Sequence, residues 1–148
     1  NHRDRCEIRE FSSHFTNIFV FFVSGCDLPA AMMTKAKANS LHGKKDYKAA
    51  IKMYEQASRL LGLHVLQADL MGEVMKQGDG LTRHADVSDE RMQISLMASN
   101  MALCHIELSE WKEACTAGLV SLAHDSTNYK AYFRVAKAFQ KLKQSITF

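Results

Sequence analysis

The chain has 148 residues, enough for one domain with a real core, and 47% of them are hydrophobic against 24% charged. Seven glycines and a single proline, Pro29, are too few for a turn-rich β fold and favour long helices. The net charge of +3 is too mild for the concentrated basic face that nucleic-acid binding needs, and the four cysteines (Cys6, Cys26, Cys104, Cys115) form neither a C-x-x-C pair nor a disulfide framework.

That cysteine usage fits a reduced, cytoplasmic setting. Seven histidines are scattered without H-x-x-x-H or H-E-x-x-H spacing, and Cys104 and His105 are adjacent, so on a helix they point apart. No metal and no other cofactor is expected. The chain opens on Asn1 rather than Met, which reads as a fragment or an odd gene product. Residues 1–28 read as an extension outside the domain. Its apolar run, Ile18–Val23, is far shorter than the roughly 20 residues a spanning helix needs. Glu7, Glu10 and Asp27 flank it, and no A-x-A cleavage site follows, so neither a membrane anchor nor a signal peptide is expected.

The first predicted helix runs from Thr34 to Gly43, and Lys44-Lys45-Asp46 makes a short polar turn. A second helix starts at Tyr47 and reaches Gly62, with enough apolar residues from Leu63 to Lys76 to prolong it. Residues 77–87 are polar, contain glycine and read as a loop. Ser88 is a good N-cap for a third helix, since Asp89 and Glu90 suit the positive helix end. Ser109-Glu110 is the next turn, Trp111 opens a fourth helix, and Asp125–Asn128 is a turn and cap. The fifth helix spans Tyr129–Leu142, and 145–148 form a tail.

These helices repeat. Asn100 to Arg134 and Ala102 to Ala136 are both 34 residues, while Ala38 to Ala50 and Ala102 to Ala114 are both 12. Small side chains at those offsets let antiparallel helices approach closely, and bulky ones fill the gaps between units. Asn39 to Leu103 is 64 residues, so about 30 are extra, an insertion at about 65–94. Repeat one is read at about 31–64, repeat two at about 95–128, and a partial third at about 129–144. Gly118 stands where a large apolar residue is expected, which makes the second unit imperfect. The third unit lacks its second helix, so modest stability is expected.

The motif Ala50-x3-Tyr54-x2-Ala57 and the period of 34 resemble the tetratricopeptide repeat. The segments Ser99–Leu108 and Asp125–Arg134 are similar to those of the FKBP-type immunophilins, co-chaperones whose repeats also carry a long insertion after the first. The resemblance covers residues 29–144. It implies an all-α fold of antiparallel helix pairs wound into a right-handed superhelix, of about two and a half repeats. It also implies a carboxylate clamp for the Glu-Glu-Val-Asp C-terminus of the ninety- or seventy-kilodalton heat-shock chaperones. The clamp positions match Lys35, Asn39, Asn100, Lys130 and Arg134, all with the family's residue types.

The residue chemistry agrees with that role. Lys35 and Asn39, like Lys130 and Arg134, are four apart and share one helix face. A chain terminus beside an Asp side chain offers two carboxylates, which ammonium and guanidinium groups hold through charge-assisted hydrogen bonds. Lys37 points about 200° away from Lys35 and should take no part. Lys130, Arg134, Lys137 and Lys141 form a basic stripe, with Tyr132, Val135, Ala136, Phe139 and Leu142 on the other side. Solvated basic faces are common without any ligand, and it is the match of Lys35, Asn39 and Asn100 that favours one. Leu96, Leu103 and Phe133 could line the groove but read slightly better as packing between repeats, and Met92, Met97 and Met101 as core. The expected protein is a monomeric, non-catalytic adaptor that binds neither nucleic acid nor membrane. Two alternatives stay open: a fragment of a peptidyl-prolyl isomerase that carries such repeats, or a scaffold for another acidic partner.

Overall fold

The structure, a computed structural model, describes residues 28–76 and 87–146, and at 67 and 71–76 the backbone only. The apolar run Ile18–Val23 and nearly all of the predicted loop lie outside those residues. Among the described residues the fold is all-α: α1 (Leu28–Gly43), α2 (Tyr47–Lys76), α3 (Ser88–Glu107), α4 (Trp111–His124) and α5 (Tyr129–Ile146).

Helix α1 starts two turns earlier than its expected start at Thr34. Pro29 is tolerated in a first turn, where its missing N–H leaves no bond unmade. The Thr34 hydroxyl does not cap; it donates back to the Ala30 carbonyl at 2.8 Å. Helix α2 runs unbroken through Gly62 to Lys76, with Ile51, Tyr54, Ala57, Leu61 and Val65 buried on one stripe. The expected cap at Ser88 is corrected. Val87 is the N-cap of α3, and Ser88 is its first helical residue. Val87 is buried in the core, and its carbonyl accepts the Arg91 N–H, so packing decides where this helix begins. Helix α5 continues one turn beyond the expected Leu142.

Consecutive helices pack antiparallel, and turns of three or four residues join α1 to α2, α3 to α4 and α4 to α5. The pairs Asn39–Tyr54, Tyr54–Asn100 and Ser95–Ser121 hydrogen-bond across successive interfaces, and Gly118 meets Val135 across the last. The turns after α1 and α3 share one geometry. Lys45 (φ 63°) and Ser109 (φ 57°) are both left-handed. Asp46 N–H donates to the Leu41 carbonyl and Lys45 N–H to that of His42; Glu110 and Ser109 repeat this with His105 and Ile106. Both are Schellman ends made without glycine. The two turns are 64 residues apart, and so are the buried alanines Ala38 and Ala102, and Ala50 and Ala114.

One core cluster joins α1, α2 and α3, from Ala31 to Cys104, and Met97 and Met101 belong to it. A second joins α3, α4 and α5 through Ile106, Ala114, Cys115 and Ala138, flanked by Trp111 and Leu142. Met92 is exposed and outside both, unlike the expectation. Gly118 is also explained. A Cβ there would strike the Val135 Cγ2 atom, so the position where a large side chain was expected has no room for one.

Candidate functional site

The five residues of the expected clamp lie on α1, α3 and α5. These three helices run in the same direction: Lys35 meets Gln93 while Asn39 and Asn100 share Tyr54, and Asn128 meets Ser95 while Arg134 meets Ser99. The Tyr54 hydroxyl, on α2, joins α1 to α3. It donates to Asn39 Oδ1 at 2.6 Å and accepts from Asn100 Nδ2 at 3.4 Å. This orients both amides. Asn39 commits its oxygen to this bond and keeps the two donors of its NH2 group, and Asn100 keeps a second N–H.

Arg134 reaches across from α5 and donates through Nη1 to the Ser99 carbonyl at 2.7 Å and its hydroxyl at 2.6 Å. The guanidinium is half-buried, and that burial lowers its pKa from the ordinary arginine value. Its charge acts on both Tyr54 and Cys104. Burial still raises the Tyr54 pKa, with the Asn100 bond and Arg134 opposing. Burial raises the Cys104 pKa to about 11, so this thiol under the site stays protonated. At the other edge Lys35 donates to Gln93 Oε1. Lys130 is exposed one turn before Arg134, and among the described residues it makes no hydrogen bond or ion pair.

The electrostatic character follows. Among the described residues no carboxylate pairs with Lys35, Lys130 or Arg134. Their acceptors, where they have them, are the neutral Gln93 and Ser99. A half-buried cation held only by neutral oxygens is under-compensated, and an anion entering between α1 and α5 would supply the missing charge. Tyr54, Gln93 and Ser99 were not anticipated as site residues. For Tyr54 a signal existed, because its place in the repeat motif put a polar tip on a buried ring.

Phe133, read as packing, is 71% exposed instead, and Leu96 is also exposed, while Leu103 is half-buried. Lys137 and Lys37 are exposed. The apolar side of α5 divides. Val135 is buried and Leu142 packs on the core, but Tyr132, Ala136 and Phe139 face solvent.

Among the described residues no cluster of His, Cys, Asp or Glu could hold a metal ion, and no helix is long and apolar enough to cross a membrane. Cys104 and Cys115 are free and buried. No protein-family model matches the chain, and no curated protein matches it.

Proposed function

We propose that this chain is a non-catalytic adaptor whose α1–α3–α5 groove binds the acidic C-terminus of a cytosolic heat-shock chaperone. In this reading the five helices are two and a half tetratricopeptide repeats in a right-handed superhelix. The recurrence of turn geometry and of buried alanines at an offset of 64 residues supports the repeat register.

The observation that carries the functional reading is the convergence at Tyr54. Asn39 and Asn100 are oriented by its hydroxyl, and the half-buried Arg134 stands beside it without a counter-anion among the described residues. Such a site suits a carboxylate pair better than a single charge, because its donors come from three helices rather than one. Lys130 is the cation with least to lose on binding. Lys35 and Arg134 must exchange neutral acceptors for carboxylates, so affinity is moderate. Leu96 and Phe133 offer apolar contact to the residue before the terminus.

Isothermal titration with an acetylated Glu-Glu-Val-Asp peptide tests this. Binding is expected near micromolar, about −8 kcal/mol, and weakens as salt rises. A C-terminally amidated peptide loses a carboxylate and should bind at least about 10-fold more weakly. Lys130→Ala, at an exposed position, should do the same without loss of helicity. No heat at high protein concentration, or equal affinity for the acid and the amide, sinks the reading.

A further inference from the structure

Helix α3 turns an uncharged residue toward Lys35, although its neighbours in sequence are charged. The helix opens Ser88-Asp-Glu-Arg-Met-Gln93. Glu90 faces α2, where one carboxylate oxygen lies 3.7 Å from His64 Nε2. Arg91 also reaches α2 and pairs with Asp69 at 2.7 Å. Asp89 is exposed, and among the described residues no carboxylate pairs with Lys35. The residue that meets Lys35 is Gln93, whose Oε1 accepts from the ammonium. The two are 58 residues apart, and both are half-buried.

Gln93 also belongs to the groove. It stands seven residues before Asn100, two helical turns, so the two share one face of α3. Two ties therefore join α1 to α3: Lys35 to Gln93, and Asn39 through the Tyr54 hydroxyl to Asn100. They differ in kind. The Tyr54 tie leaves N–H donors on both amides. The Gln93 tie occupies a cation that an anionic ligand would use. A glutamine carbonyl is a neutral acceptor. A carboxylate in its place adds the attraction of opposite charges to the hydrogen bond, whereas another neutral oxygen gains nothing by the exchange.

We infer that Gln93 is a latch on Lys35, which holds the ammonium between α1 and α3 and yields it only to an anionic oxygen. The inference rests on the groove proposed above and adds the residue that sets its affinity. Part of the binding free energy goes into parting Lys35 from Gln93, so the groove binds more weakly than its cations and amides alone would. Neutrality is what lets the latch open. A Glu at the same place would pair with Lys35 and would also repel an acidic peptide. Opening does not loosen the fold, because the Tyr54 tie and the core cluster from Ala31 to Cys104 still join α1, α2 and α3.

Isothermal titration of acetylated Glu-Glu-Val-Asp into the full chain and its position-93 variants tests this. Gln93→Ala removes the latch and should tighten binding about 3- to 10-fold, with an unchanged helical circular dichroism spectrum. Gln93→Glu should weaken binding at least about 10-fold. A residue that merely supports the fold would move both variants in the same direction. In a Lys35→Ala background, Gln93→Ala should leave the affinity where Lys35→Ala alone puts it, since no ammonium remains to release. Weaker or unchanged binding by Gln93→Ala overturns the inference and leaves the groove reading standing. A gain that persists without Lys35 overturns it as well. If the wild-type chain and Gln93→Ala both fail to bind the peptide, the groove reading falls and the latch falls with it.

Discussion

Two glycines in similar helical settings are expected to respond oppositely to a side chain. Gly118 sits where α4 and α5 touch, and any Cβ there strikes Val135. Val135 is β-branched and buried, so it has little freedom to move aside. Gly118→Leu restores the large residue that the repeat pattern expects, yet overpacking should destabilise the fold by about 1–3 kcal/mol. At Gly62 an added Cβ meets nothing within 4 Å, and the residue lies inside the long helix α2. Gly62→Ala should therefore stabilise by about 0.5–1 kcal/mol, through reduced backbone entropy in the unfolded chain. Urea unfolding of the two variants checks both signs. The sequence marks Gly118 as a departure but not as a close contact, because its neighbour Val135 is 17 positions away and on another helix.

At the scale of elements, one side chain ties three helices together. Asn128 Oδ1 accepts the Ala131 N–H at 3.3 Å, three residues on, as an N-cap does for α5. Its Nδ2 reaches the hydroxyls of Ser95 on α3 and Ser121 on α4, both at 3.2 Å. Those serines are wholly buried, and each donates to the other's carbonyl, at 2.9 and 2.7 Å. The buried polar pair is thus fully bonded, with Asn128 as its third member. Asn128→Ala removes the cap and the shared donor together and should cost about 1–3 kcal/mol. Asn128→Asp keeps the capping oxygen but brings a charge to hydroxyls that now need a donor, so it should recover only part of the loss. Thermal unfolding of both variants separates the two roles. The turn and cap at Asp125–Asn128 are legible from residue type; the bond to Ser95 is not, since it joins residues 33 apart.

For the whole molecule, acid should weaken the fold through a partly buried histidine. Burial lowers the His124 pKa from the usual histidine value, and the Arg91 charge adds to this. Its Nδ1 is buried with no hydrogen-bond partner among the described residues. Because the folded pKa is depressed, the unfolded chain binds the proton more readily. Stability is complete above about pH 6.5 and declines as pH falls from there toward the folded value. His124→Gln should flatten that decline, as read by urea midpoints between about pH 7.5 and 5. Cys104 acts at the other extreme. Its thiol, raised from 9.0 to about 11, favours the folded state in its neutral form, so stability falls as pH rises through that interval.

Composition and spacing determined much of this protein. Few glycines, one proline and the recurrence of small residues specify long helices in pairs, because close helix approach needs alanine at fixed offsets and short polar turns between. The same spacing placed Lys35, Asn39, Asn100, Lys130 and Arg134 on helices of one kind. Tertiary structure decided what those side chains do. Asn39 and Asn100 share a tyrosine hydroxyl from α2, Arg134 is half-buried against Ser99, and Lys35 is held by Gln93. It also divided the apolar residues of α5 into a covered stripe and an open seam, which sequence read as a single side. The physical reason is the same in each case: helical periodicity tells which residues share a face, but only packing tells which faces have a neighbour.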